Sequence, residues 1–112
     1  MTVQDLRAFG ANVDEGLGRC MNNEAFYLRL VKMSLGDANF QKLEDSLRQG
    51  NLTEAFEAAH ALKGVLGNLS LTPLYTPVSE LTELLRSRTE GDYDAYLREI
   101  LSLRSQLADQ AV

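Results

Sequence analysis

The single histidine of the chain, His60 in the stretch AHALKGVLGN, is the residue whose type and surroundings most clearly offer chemistry. Imidazole is largely neutral near pH 7, and the neutral ring is a nucleophile. Lys63 follows in the same stretch, and Gly64 and Gly67 come one and two turns after the histidine. Each glycine costs a helix interior about 0.5–1 kcal/mol relative to alanine, so two glycines at these places require an explanation.

The helix predicted around His60 has a core stripe at three- and four-residue spacing, and His60 lies outside this stripe. The stripe consists of Leu52, Ala55, Ala59, Leu62, Leu66 and Leu69. At about 100° per residue, His60 projects about 120° away from the middle of the stripe. Gly64, Gly67, Thr53 and Phe56 all lie within about 40° of His60 on the same helical wheel. The pattern predicts an exposed histidine beside a surface that has few side chains.

Two interpretations of this surface compete. In the first, His60 is an ordinary surface histidine and the glycines admit a neighbouring helix. In the second, a partner must reach the imidazole. Because side chains at i and i+4 stack on one helix face, a side chain in place of Gly64 would obstruct that partner. Lys63 would then supply a cation that balances a dianionic group on the ring.

The stretch HALKGVLGNLS resembles the signature of the histidine phosphotransfer domains of bacterial phosphorelays, in which Leu, Lys and Gly follow the histidine at the second, third and fourth places. The resemblance covers most of the chain. It implies that His60 accepts a phosphoryl group from the aspartate of one receiver domain and passes it to the aspartate of another. It also implies that the partners are receiver domains of response regulators or hybrid histidine kinases. Lys63 would give electrostatic support and Gly64 steric clearance.

Some positions depart from the family pattern. The family often has glycine ten residues after the histidine, where this chain has Ser70. It often has small or polar residues where this chain has Val65 and Leu66. These departures leave the acceptor intact and bear on which partner docks. The residues expected to take part in docking are Thr53, Phe56, Glu57 and Gly67.

The acidic composition and the absence of membrane segments limit the classes of partner. A net charge of −5 argues against nucleic acid, which needs clustered Lys and Arg, and against an anionic membrane surface. The N-terminus lacks the apolar region of a signal peptide, and no run of about 18 uncharged apolar residues could span a bilayer. We expect a cytoplasmic protein. We also expect a monomer.

The cysteine and histidine content argues against a metal site in the chain. Cys20 is the only cysteine, so it cannot form an internal disulfide and suits a reducing compartment. It is either a reactive thiol or a small core residue, and the burial habit of free cysteine favours the core. A structural zinc site takes four Cys or His ligands, which one of each cannot supply. The sequence predicts no cofactor, and the resemblance implies that Mg²⁺ belongs to the receiver partner.

The hydrophobic periodicity is helical throughout the chain, with no sustained strand alternation. The predicted helices cover residues 3–10, 24–36, 37–50, 51–69, 77–88 and 93–107, and residues 13–21 are expected to form a short turn or helix. We expect Gly36 to adopt a left-handed cap, and Asn51 with Glu54 to form a capping box. We expect a loose turn before a regular helix from Pro77, because proline in a helix interior lacks a backbone donor. The stretch TEGD, at 89–92, is expected to be a turn.

Short connections between helices of this length favour antiparallel neighbours. The predicted fold is all-α: an up-down-up-down four-helix bundle with short extra helical segments at the N-terminus. Residues 1–112 are expected to form a single domain, which is long enough for one hydrophobic core. The Met1 start and the short flanks predict a free-standing protein.

Two other classes of function compete with a phosphoryl carrier. A helical adaptor or regulatory module would share the bundle, and His60 would be dispensable. An independent enzyme has little support, because no carboxylate pair stands at a distinctive spacing near His60, and Glu54 and Glu57 are more simply a solvated face. No Gly-rich phosphate loop follows a strand, so the chain is not expected to phosphorylate itself.

Overall fold

The computed structural model describes residues 1–89 and 91–110, and within them the chain forms helices and the turns between them. The helices of this part of the chain are α1 (Val3–Phe9), α2 (Val13–Arg19), α3 (Glu24–Leu35), α4 (Ala38–Arg48), α5 (Leu52–Asn68), α6 (Thr72–Arg86) and α7 (Tyr93–Gln110). In the same residues there is no β-strand, and no helix is long and apolar enough to cross a membrane.

Polar side chains cap the start of most helices, as short helices require. Thr2 and Asp5 form a complete capping box on α1, which ends at Gly10 in the left-handed region with φ 105°. N-cap side chains that accept a backbone N–H also precede the next four helices: Asn12, Asn23, Asp37 and Asn51. The polar residues between the apolar runs therefore fix where α1 to α5 begin.

Helices α4 to α7 form an antiparallel bundle. Phe56 near the start of α5 lies under Arg86 at the end of α6, whereas Gly67 near the end of α5 lies against Tyr75 at the start of α6. α5 also packs along α4, α6 packs along α7, and α7 closes the bundle against α4. Of the predicted α5 stripe, every member except the half-buried Leu52 is buried. The predicted all-α bundle is confirmed.

The N-terminal helices α1 to α3 pack across the bundle, with α1 and α3 in contact with α7. Tyr27 on α3 is fully buried, and its hydroxyl donates to the carbonyl of Leu69, just after α5, at 2.8 Å. Gly16 on α2 makes room for this ring, because a Cβ there would lie 2.6 Å from the Tyr27 side chain. Cys20 is buried among these helices, as its small apolar character favours.

The start of α6 differs from the prediction. α6 begins at Thr72 and runs through Pro77, with Pro73 in its first turn, where a backbone donor is not required. Pro77 removes only the hydrogen bond that its N–H would donate to the Pro73 carbonyl four residues earlier. Pro77 and Leu74 are both buried, and burial of their apolar surface offsets that loss. The predicted loose turn before Pro77 is therefore wrong.

Two predicted helix ends are wrong in detail. Gly36 follows α3 with φ −97°, outside the left-handed region, and its N–H donates to carbonyls in the last turn. Asn51 caps the N–H of Glu54, but the N–H of Asn51 donates to the Ser46 carbonyl at 2.8 Å. The capping box is therefore only half formed, because a backbone carbonyl takes the donor that the Glu54 side chain would have bound.

The connection between α6 and α7 overlaps the predicted turn at 89–92. α6 ends at Arg86, two residues before the predicted end, and α7 begins at Tyr93. Glu90 lies outside the described residues, whereas Thr89, Gly91 and Asp92 belong to no helix. α7 extends three residues beyond its predicted end, to Gln110.

Candidate functional site

His60 lies in the middle of α5 with its side chain exposed to solvent. Its backbone neighbour Ala59 is buried in the core, so the helix that carries the imidazole is fixed on its opposite face. The ring stacks on Phe56, one turn earlier, with 5.6 Å between ring centroids and an interplanar angle of 22°. Offset stacking of this kind restricts the orientation of the imidazole without covering it.

An open groove with a volume of about 610 Å³ adjoins the imidazole. Its lining includes His60, Lys63, Gly64 and Gly67 from α5, with Glu15 and Arg19 from α2. Three residues of the HALKG stretch, His60, Lys63 and Gly64, therefore line one open depression. Helix α2, which precedes the bundle, also contributes to its lining.

Gly64 and Gly67 differ in their surroundings. Outside the backbone of its own helix, a Cβ added to Gly64 would meet no described atom within 4 Å, so this position opens to solvent one turn after His60. A Cβ added to Gly67 would lie 3.1 Å from the ring of Tyr75, which packs across α5 at this point. The two glycines lie on one helix face, but Gly64 is open to solvent and Gly67 is in close contact with α6.

Lys63 forms a loose ion pair with Glu83 of α6, in which Nζ and Oε1 are 3.7 Å apart. The second oxygen of Glu83 pairs with Nε of Arg86 at 3.3 Å. The guanidinium of Arg86 in turn lies 5.0 Å above the ring of Phe56. These contacts join Lys63 to the aromatic ring that stacks on His60.

Two other residues expected to dock a partner lie toward the start of α5 and contact neighbouring helices. Thr53 accepts a hydrogen bond of 2.8 Å from Arg88, just after α6. Glu57 forms an ion pair of 3.3 Å with Lys42 of α4. Both are exposed, and neither lines the groove beside His60.

The sequence marks Ser70 as a departure from the family pattern, but it predicts neither the backbone conformation of Ser70 nor the α2 residues that hold it. Ser70 has φ 56°, in the left-handed region. Its hydroxyl donates to Glu15 at 2.8 Å and accepts from Arg19 at 2.9 Å, while its carbonyl accepts from the N–H of Asn12. Arg19 also donates to the carbonyl of Gly67 at 2.8 Å. The available signal was the family's glycine at this place, since glycine adopts the left-handed region without strain.

The described residues contain no group of three or more His, Cys, Asp and Glu side chains that could hold a metal ion. The groups of the groove that carry chemistry are the imidazole of His60, the cations Lys63 and Arg19, and the carboxylates that pair with these cations. These features define a class: a helical bundle that presents one imidazole to solvent from an open face.

A family model for the Hpt domain matches residues 33–110. The chain therefore belongs to the Hpt domain family, whose members are phosphocarrier modules in the histidine phosphotransfer of two-component systems and interact with receiver domains. The match includes all of α4 to α7 and leaves α1, α2 and most of α3 outside. Among the curated proteins and the solved structures, no match to the chain was found.

Proposed function

We propose that His60 accepts a phosphoryl group from the phosphorylated aspartate of one receiver domain and passes it to the aspartate of another. The observation that carries this proposal is the exposed imidazole beside the open position at Gly64. Such a carrier needs no active-site cavity of its own, because its contribution is to position one nucleophile.

The chemistry requires a neutral ring. Its unprotonated nitrogen attacks the phosphorus, an N–P bond forms, and the P–O bond to the donor aspartate breaks. The aspartate carboxylate leaves with the electron pair, and the proton on the other ring nitrogen can pass to water. Transfer to the second receiver reverses these steps with a new aspartate as the nucleophile.

Lys63 supports this chemistry as a nearby cation, and Gly64 gives the receiver room to approach. Mg²⁺ and most of the stabilisation of the transition state come from the receiver, so the chain acts as a carrier without kinase activity of its own. The docking surface around His60 includes Phe56 and Gly67. Thr53 and Glu57 extend it toward the start of α5. We further propose that the chain acts as a monomer.

The test uses phosphoramidate, a small N–P donor, and receiver domains of the same genome that have been phosphorylated with acetyl phosphate. Wild-type protein should take up phosphate from both sources as a product that is labile in acid and stable in base. His60→Gln should take up none and should unfold at nearly the same temperature, since an exposed residue contributes little to stability.

The lability of the product distinguishes the acceptor. A base-labile product would indicate an acyl phosphate on a carboxylate, and an acid-stable one would indicate a serine, threonine or tyrosine ester. Either result, or uptake by His60→Gln, would exclude His60 as the acceptor. A wild-type protein that binds receivers without any uptake would be a helical adaptor instead.

A further inference from the structure

We propose that Glu83 is a positioning residue that limits how fully Lys63 can pair with a phosphoryl group on His60. The inference rests on the proposed function of His60. Lys63 is the cation on the His60 helix that lines the groove, yet its ammonium group is already oriented toward a carboxylate of α6. Phosphorylation would therefore place two anions in competition for one lysine.

The geometry of the pair favours exchange. At 3.7 Å the contact between Lys63 and Glu83 is longer than a direct hydrogen bond, and 28% of the Lys63 side chain is exposed. A loose, partly exposed ion pair of this kind contributes little stability. The flexible four-carbon stem of lysine lets its ammonium group move between acceptors on either side.

Glu83 does not depend on Lys63 for a partner. Its second carboxylate oxygen pairs with Arg86, one turn later on α6, at 3.3 Å. When Lys63 turns toward a phosphoryl group, Glu83 keeps this contact. The movement therefore leaves Glu83 with a cationic partner.

The competition has a direction. A phosphoryl group carries up to two negative charges and a carboxylate only one, so a phosphorylated His60 draws Lys63 away from Glu83. While the Lys63 ammonium group is paired with Glu83, it does not neutralise the charge of the phosphoryl group. Removal of the Glu83 charge should therefore lengthen the life of the phosphohistidine.

Glu80 provides a matched control on the same helix. It is exposed, it lies three residues before Glu83, and it accepts a hydrogen bond from Tyr96 of α7 instead of pairing with Lys63. Glu83→Gln and Glu80→Gln therefore change the net charge of the protein equally, but only the first frees Lys63.

The experiment follows the hydrolysis of protein that has been phosphorylated with phosphoramidate. The proteins are wild type, Glu83→Gln, Glu83→Asp, Glu80→Gln, Lys63→Ala and the double variant Lys63→Ala with Glu83→Gln. At low ionic strength, Glu83→Gln should lengthen the phosphohistidine lifetime about two- to threefold, which is the scale of an exposed ion pair. The gain should shrink in about 0.5 M salt, where exposed charges are screened.

Three comparisons decide the role of Glu83. Glu80→Gln and Glu83→Asp should stay close to wild type, and Glu83→Gln should have no effect once Lys63 is alanine. Equal lifetimes for Glu83→Gln and wild type would overturn the inference. A gain that persists in the double variant would also overturn it, because Glu83 would then repel the phosphoryl group directly. Absence of any uptake by wild type would instead overturn the proposed function, so the two failures are distinguishable.

Discussion

Gly64 and Gly67 show how two identical residues on one helix face can have different reasons to be present. Gly64 opens to solvent beside His60, whereas Gly67 admits the ring of Tyr75. The position of the glycines relative to His60 follows from helix geometry and could be predicted. The contact with Tyr75 could not, because it depends on where α6 crosses α5, which no local pattern specifies.

At Gly64 an alanine should raise the free energy of unfolding by about 0.5–1 kcal/mol, through helix propensity and a less flexible unfolded chain. At Gly67 the same change should raise it less or lower it, since the new Cβ would lie 3.1 Å from the Tyr75 ring. Urea unfolding of the two variants measures the difference. Equal gains would show that Tyr75 moves aside at no cost.

A small phosphodonor and a receiver domain together test whether Gly64 is needed to give the receiver room to approach His60. Gly64→Gln should still accept phosphate from phosphoramidate, which is small, but should accept it at least tenfold more slowly from a phosphorylated receiver. Gly18 on α2 offers a control, because a Cβ there also meets nothing within 4 Å. Gly64 would not be the place where the receiver approaches if Gly18→Gln slowed transfer from the receiver as much as Gly64→Gln. The same conclusion would follow if Gly64→Gln slowed transfer from neither donor.

At the scale of the element, the sequence predicts where α5 lies and which face it buries, but it does not predict how α5 ends. Its stripe of apolar residues is a local pattern. The end depends on Ser70, whose left-handed backbone is held by side chains of α2 about 50 residues earlier in the chain.

The start of α6 was not predicted for a related reason. The rule against interior proline is local, whereas the burial that offsets it at Pro77 is tertiary.

Substitution of Ser70 should reveal the cost of its backbone conformation. Ser70→Gly and Ser70→Ala both lose the hydroxyl, but only alanine keeps a Cβ in the left-handed region. The glycine variant should therefore be more stable by about 1 kcal/mol. At Ser105, an exposed helical serine of α7, the order should reverse, because glycine disfavours a helix interior. Thermal unfolding of the four variants decides it, and the same order at both places would contradict the left-handed assignment.

At the scale of the whole molecule, the N-terminal helices hold the end of the helix that carries His60. Tyr27, Arg19 and Asn12 donate to the carbonyls of Leu69, Gly67 and Ser70 respectively. The amphipathic patterns predict these helices, but not this attachment. Its donors lie outside the span that the family model matches, since they come before residue 33, whereas the carbonyls that they bind lie inside it.

Tyr27 makes this attachment sensitive to high pH. Burial, with a smaller contribution from the charge of Cys20, raises the pKa of Tyr27 from 10.0 to about 12. The unfolded chain therefore loses this proton first as the pH rises. The contribution of Tyr27 is full below pH 10 and is lost as the pH approaches 12. Over this interval the free energy of unfolding should fall by about 2–3 kcal/mol.

The variant Tyr27→Phe isolates this effect. It should be less stable than wild type at neutral pH by about 1–2 kcal/mol, because the Leu69 carbonyl loses its donor. Its stability should change less than that of wild type between pH 10 and pH 12. Denaturant unfolding across this range gives the comparison. Parallel curves for the two proteins would show that Tyr27 ionises equally in the folded and unfolded states.

The open surface at Gly64 has a consequence for the duration of a signal. A Cβ at that position would meet no described atom within 4 Å outside the backbone of its own helix, so this side of His60 is open to water as well as to a partner. A phosphoryl group on His60, as proposed, would then be open to hydrolysis, and Lys63 would slow this loss only to the small extent that an exposed ion pair allows. Once the donor stops supplying phosphoryl groups, the signal would end by hydrolysis alone. A receiver would have to accept the phosphoryl group before hydrolysis removes it.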